Sequence, residues 1–271
     1  MEEVHLWRAT GAQDAQKLSV GERRAKRRRR RNLGRFRYFD EQLGYPRWIG
    51  KSVLDFGGNQ GDLLADPECR IPPEAYCCLD VLEEAVAEGR RMFPRARWVH
   101  YDRYNCSFNP QGIADLPIPD LGETFDLILA YSVFTHTTRE EMHDLVAELR
   151  ERLAPGGTLA FTFIDPHYQS WPRKFDGNNL MWRLCRTRDA APETDVERLL
   201  VQSRGAQWCA LVGGCELFID ENGSWRDDPE RVMTYHVFYT AEFLQREFPD
   251  AVIRPPVNGE MQHCCLIRRA T

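Results

Sequence analysis

From Ser52 onward, short apolar runs alternate with stretches whose apolar residues recur at three- and four-residue steps. Strands are predicted at Ser52 to Phe56, Tyr76 to Asp80, Arg97 to Tyr101, Phe125 to Tyr131 and Thr158 to Ile164. Between them the pattern predicts a short helix after Gly61, a helix from Glu83 to Phe93, and one from Arg139 to Leu153 through Met142, Val146, Leu149 and Leu153. Pro155-Gly156-Gly157 is expected to stop the last of these. Strand and helix in alternation build a mostly parallel sheet with helices on both faces, an α/β doubly wound fold. Upstream, Leu33, Phe36, Phe39 and Leu43 lay an apolar stripe along a helix expected from about Gly21 to Gly44. Downstream, the alternation lapses between Pro166 and Asp228, where helical pieces are expected near Asn179 to Arg186 and Glu193 to Ser203. It resumes with a helix at Thr240 to Phe248 and strands at Val252 to Arg254 and His263 to Arg268, completing a seven-stranded sheet.

Four segments follow from that reading. They are an N-terminal helical extension at 1–47, a core at 48–165, a lid inserted after the fifth strand at 166–230, and the C-terminal part of the core sheet at 231–271. A chain of 271 residues accommodates one such core with an insertion.

Charge changes the picture at one end. Residues 1–50 hold 13 Lys/Arg against 6 Asp/Glu, whereas the whole chain has a net charge of −5. Most of the excess lies in Arg23, Arg24, Lys26 and Arg27 to Arg31, a run suited to nucleic acid, an anionic ligand or a partner's acidic surface, or to a solvated helix face. Hydrophobic residues at 42% and charged residues at 28% describe an ordinary globular protein. No apolar run is long enough to span a membrane, and no apolar stretch follows Glu2 and Glu3 as in a secretory leader, so a cytoplasmic protein is expected. The nine cysteines show no C-x-x-C pair and no zinc-type spacing, so they are read as free thiols.

The candidate chemistry sits at the first strand's end. In Val53-Leu54-Asp55-Phe56-Gly57-Gly58-Asn59-Gln60-Gly61-Asp62, an apolar strand runs into an acid and turns through glycines. Ligands of open α/β sheets bind at the carboxyl ends of the strands, and glycines there let a ligand approach the backbone. Asp80 closes the second strand about 20 residues on, the spacing at which an acid meets ribose hydroxyls, with Val81 beside it. Asp102 follows the third strand, and its neighbours Arg103 and Tyr104 are placed to cover a planar ring.

The spacing Asp-x-Gly-x-x-x-Gly from Asp55 resembles the first motif of class I S-adenosylmethionine-dependent methyltransferases and differs from the G-x-G-x-x-G of dinucleotide enzymes. A dinucleotide offers a pyrophosphate to the helix N-terminus, whereas this cofactor offers an ammonium group that Asp55 can hold directly or through water. The resemblance implies that Asp80 binds the adenosine hydroxyls and Asp102 the adenine amino group. It implies too that the backbone of Tyr131 and Ser132, in Phe125-Asp126-Leu127-Ile128-Leu129-Ala130-Tyr131-Ser132-Val133-Phe134-Thr135-His136, runs along the methionine part. Leu153-Ala154-Pro155-Gly156-Gly157-Thr158-Leu159 is similar to the family's turn before its fifth strand, and the whole resemblance covers Val53 to Asp165. Gly58 and Asn59 stand where the family often has Cys or Ser. The family's metal-dependent branch places acids where Tyr131-Ser132-Val133 stands here, so no catalytic metal is expected.

A methyltransferase must align a nucleophile with the methyl group, and a hydroxyl acceptor gains from a general base. His136, Asp165, His167 and Tyr168 lie near the ends of strands four and five, with His167 preferred because Pro166 tips the chain toward the cleft. His236 is a candidate from beyond the lid, while His143 is expected on a helix surface. Tyr168, Trp171, Arg173 and Trp182 are the candidate substrate contacts. Phe175, Trp208, Trp225 and Phe238 could serve as further walls or as plain core, and Lys174 and Arg183 could pair with an anion. A small-molecule O- or N-methyltransferase is the first expectation. An RNA methyltransferase using the arginine run, and a non-catalytic cofactor-binding scaffold on the same fold, remain open.

Overall fold

The expected strands assemble into one sheet in a computed structural model that describes residues 34–105, 108–165, 199–203, 206–212, 215–220 and 234–271. In chain order the elements are α1 (Arg35–Gln42), β1 (Val53–Phe56), β2 (Tyr76–Asp80), α2 (Glu83–Met92), β3 (Arg97–His100), β4 (Phe125–Ala130), α3 (Arg139–Glu151), β5 (Leu153–Phe163), β6 (Leu199–Ser203), β7 (Ala206–Val212), β8 (Cys215–Asp220), β9 (Thr234–Tyr239), α4 (Ala241–Glu247), β10 (Val252–Arg254) and β11 (His263–Arg268). The main sheet has the order β10-β11-β5-β4-β1-β2-β3. Strands β1 to β5 are mutually parallel, and β11 joins antiparallel to β5.

Burial follows strand position. Every residue of β1 and β2 is buried, as a parallel strand covered on both faces requires, whereas edge strand β3 turns Arg97 and His100 to solvent and only Trp98 fully inward. One face of the sheet packs on α3, α4 and β9 through Met142, Leu149, Phe243 and Tyr239. The other packs on α1 and α2 through Phe36, Phe39 and Val86. Helix α3 opens with a capping box: the Thr138 hydroxyl accepts from the Glu141 amide at 3.1 Å, and the Glu141 carboxylate accepts from the Thr138 amide at 2.7 Å. Among the described residues no helix is long and apolar enough to cross a membrane.

The structure departs from the sequence expectation at several points. Helix α3 ends at Glu151, and Pro155-Gly156-Gly157 lies within β5, where the register with β4 jumps from Phe125–Leu153 to Leu127–Thr158. Interstrand pairing of Leu153 took precedence over its helical spacing. After Gly61 the chain makes successive turns up to Pro67 instead of a named helix, because a proline so close downstream leaves no room to propagate one. Gly34 at φ 101° interrupts the helix expected to run through it, so α1 starts at Arg35; the expected part upstream lies outside the described residues. Leu199–Ser203, expected as helical, is strand β6, and it leads an antiparallel meander β6-β7-β8-β9. Strand β9, which the reading of 231–271 placed with the main sheet, pairs with β8 instead. The meander meets the core where the Tyr239 amide donates to the Ile164 carbonyl at 3.0 Å. The expected helical piece at Asn179 to Arg186 lies outside the described residues.

Candidate functional site

Three parallel strands end side by side, and their tips carry Asp55, Asp80 and, just beyond, Asp102. Asp55 is 2% exposed, and its Oδ2 accepts the Tyr76 hydroxyl at 2.6 Å. Burial pushes its pKa from 3.8 up to about 7, opposed by the Tyr76 hydrogen bond and by the Arg35 charge. Gly57 and Gly61 adopt φ of 73° and 87°, as expected for the turn, and Asn59 is left-handed too at φ 54°. Gly58 is needed for space: a Cβ there would stand 2.5 Å from the Asp55 carboxyl carbon and 2.9 Å from the Cys78 sulfur.

Asp80 clamps this turn. Its Oδ2 accepts the Asn59 amide at 2.7 Å and its Oδ1 the Leu82 amide at 2.8 Å, while burial raises its pKa above the ordinary carboxylate value. Each carboxylate oxygen keeps a second lone pair for a hydroxyl donor. Val81 packs half-buried on the core, and its carbonyl lies 3.3 Å from His100 Nε2.

Asp102 is exposed and accepts from Asn109 Nδ2 at 3.0 Å. Its neighbour Arg103 is held by the loop that follows it. It is 5% exposed, and its guanidinium donates to the Leu116 carbonyl at 2.7 Å, pinning the loop that follows β3. Tyr104 is exposed at 37%.

At the tip of β4, Ser132 is left-handed at φ 59°, and its amide donates to the Thr162 hydroxyl at 2.7 Å. Tyr131 donates its hydroxyl to Glu260 at 2.9 Å, and the Arg35 guanidinium stacks on its ring at 4.8 Å. Arg35 also pairs with Asp62 at 2.7 Å, and Asn59 Nδ2 donates to that carboxylate at 3.3 Å. Helix α1 is thereby fastened over the glycine turn, with Asp66 Oδ2 accepting the Gly34 and Phe36 amides at 2.9 and 3.3 Å.

Of the candidate bases, His136 is 8% exposed, meets Phe108 edge-on at 5.0 Å, and follows β4 in a single 3-10 turn. Asp165 accepts the Ala241 amide at 3.0 Å and so caps α4. His236 is paired with Phe218 in the meander, and its side chain lies outside the described residues. So do His167, Tyr168, Trp171, Arg173 and Trp182. His143 is on helix α3, as expected, but engages Glu247 at 2.6 Å. Among the described residues no group of three or more His, Cys, Asp or Glu is arranged to hold a metal ion.

Sequence reasoning passed over Arg35, Asp62, Tyr76 and His263. His263 stacks on Phe163 at 5.1 Å beside Asp165, and burial holds its pKa below the ordinary value. Arg35 and Tyr76 touch the acid-tipped turn from other elements, at separations of 27 and 21 residues from Asp62 and Asp55, and no local spacing signals such contacts.

Residues 54–159 match a family model described as a methyltransferase domain. The structure of S-adenosylmethionine-bound CalS10, an amino pentose methyltransferase from Micromonospora echinaspora, is similar at a TM-score of 0.51 and 18% identity, over 93% of this chain and 98% of that one. DesVI of Streptomyces venezuelae gives 0.51 and 14%, over 94% and 100%. An S-adenosylmethionine-dependent methyltransferase from Clostridium acetobutylicum gives 0.50 and 12%, over 87% and 91%. At these identities the likeness is one of fold.

Proposed function

We propose that this chain is a class I S-adenosylmethionine-dependent methyltransferase that transfers the methyl group to an oxygen or nitrogen of a small-molecule acceptor without a catalytic metal, a reading supported by the methyltransferase-domain match over residues 54–159. The observation that carries the cofactor part is the Asp80 clamp on Asn59, beside a turn whose Gly58 leaves no space for a side chain. The residues present fit the cofactor, which supplies an activated methyl on a sulfonium.

Asp80, held by two amides, offers its remaining lone pairs to the ribose hydroxyls. Asp55, buried against Tyr76, serves the ammonium group, and ionisation of its carboxylate is favoured once a cation stands beside it. Asp102 is assigned the adenine edge. The backbone of Gly57, Gly58, Asn59 and Gly61 lines the near wall, with Tyr131 and Ser132 along the methionine end. Arg103, beside Asp102, also ties down the loop after β3 through the Leu116 carbonyl.

On the acceptor side, His136 is the preferred proton acceptor, since it is placed at the carboxyl end of β4 by the same turn that carries Ser132. Asp165 is given the role of orienting α4. His167, His236 and the contacts at Tyr168, Trp171, Arg173 and Trp182 stay with the lid reading. A small-molecule acceptor is supported by CalS10, whose own acceptor is an amino pentose.

Calorimetric titration with S-adenosylmethionine and S-adenosylhomocysteine tests the first half, and a screen of amino sugars, amines and phenols for release of S-adenosylhomocysteine tests the second. Binding with no turnover on any acceptor would favour a scaffold. Salt-sensitive binding of mixed RNA would favour the reading built on Arg23 to Arg31.

A further inference from the structure

Helix α1 brings a cation into an acidic pocket formed by other elements. Arg35 lies 2.7 Å from Asp62, with side-chain exposures of 23% and 4%, and its guanidinium covers the Tyr131 ring. Asp62 is bound in turn to Asn59, whose amide is held by Asp80. The groups facing Asp55 are therefore the Tyr76 hydroxyl, the Cys78 thiol and Asp80 from β2, Asp62 from the turn, and Arg35 from α1. Three carboxylates in so small a buried space repel one another, and a nearby cation offsets that repulsion.

We infer that Arg35 is a positioning residue of the cofactor site: through its pair with Asp62 it sets the charge of the glycine turn and keeps Asp55 available as an anion. The inference rests on the reading of Asp55 as the partner of the cofactor's ammonium. It makes helix α1 an electrostatic part of the site as well as a cover. Burial pushes the Asp55 pKa up to about 7; the Tyr76 hydrogen bond and the Arg35 charge lower it, and the Asp62 and Asp80 charges add to the rise. Protonation near neutrality would then cost cofactor affinity.

The two halves of the pair have opposite effects on Asp55, which separates this role from a purely structural one. Removing Arg35 withdraws the cation. Removing the Asp62 charge withdraws a like charge and breaks its pair with Arg35. S-adenosylhomocysteine is the probe, titrated by calorimetry into the full chain at a series of pH values around neutrality.

Affinity should fall as pH is lowered through the Asp55 range. The midpoint should move up by on the order of one pH unit in Arg35→Met, move down in Asp62→Asn, and return close to its starting position in Arg35→Lys. Midpoints that move in the same direction in Arg35→Met and Asp62→Asn, or move in neither, overturn the inference even if both variants bind more weakly. Should Arg35→Met fail to fold, an unmoved or raised midpoint in Asp62→Asn overturns it alone. Absence of binding by the unsubstituted chain at every pH removes the cofactor reading itself, a different result from binding with unmoved midpoints.

Discussion

The amide of Asn59 donates to the Asp80 carboxylate at 2.7 Å, so the turn after β1 and the tip of β2 are one mechanical unit. A ligand that engages Asp80 therefore finds the turn already shaped, and losing Asp80 releases it.

Asp80→Ala should weaken S-adenosylhomocysteine binding by roughly 1.5–3 kcal/mol, the range for a lost hydrogen bond to a charged group. Calorimetry measures it. Affinity equal to that of the unsubstituted chain would remove the ribose assignment.

Gly58→Ala forces a methyl to within 2.5 Å of the Asp55 carboxyl carbon and 2.9 Å of Cys78 Sγ, both on buried side chains. Overpacking of this kind costs about 1–3 kcal/mol, so the denaturation midpoint should drop and cofactor affinity with it. A variant as stable as its parent would show that Asp55 has room to move.

The pH dependence has a definite sign. Asp55 rises from 3.8 to about 7 on folding, so between those values the folded chain holds a proton that the unfolded chain has released. Its contribution to stability is fully present below the unfolded value and is lost as pH rises through the folded one. A bound cation at Asp55 offsets the loss, and the rise in melting temperature produced by S-adenosylhomocysteine should be larger on the alkaline side of neutrality than on the acid side. Thermal unfolding with and without the compound decides this; a shift independent of pH would count against Asp55 as the ammonium partner.

Asp165 separates capping from catalysis. The carboxylate accepts the Ala241 amide at 3.0 Å, so Asp165→Ala should cost about 1 kcal/mol of stability. Asp165→Asn keeps an acceptor oxygen and should remain close to the parent in both stability and turnover. A stable Asp165→Asn protein that has lost turnover would restore Asp165 as the base.

What the linear pattern disclosed and what it hid divide along the range of the interactions. Strands β1, β2 and β4, with Asp55 and Asp80 at the tips of the first two, were readable because a buried parallel strand is a mostly apolar run, and because the turn after β1 needs glycines at spaced positions. Leu199–Ser203 was misread because its residues suit helix or strand equally, and pairing with β7 decided between them. The bulge at Pro155-Gly156-Gly157 was hidden for a related reason, since its partner is on β4.

The site divides the same way. Chain order alone determined which carboxylates stand at successive strand tips, because strand ends are local events. Tertiary packing alone decided that Arg35 reaches Asp62 across 27 positions, that Arg103 donates to the Leu116 carbonyl, and that Asp165 accepts the first amide of α4. A charged side chain finds its partner through desolvation and distance in the folded molecule, and neither quantity exists along a sequence.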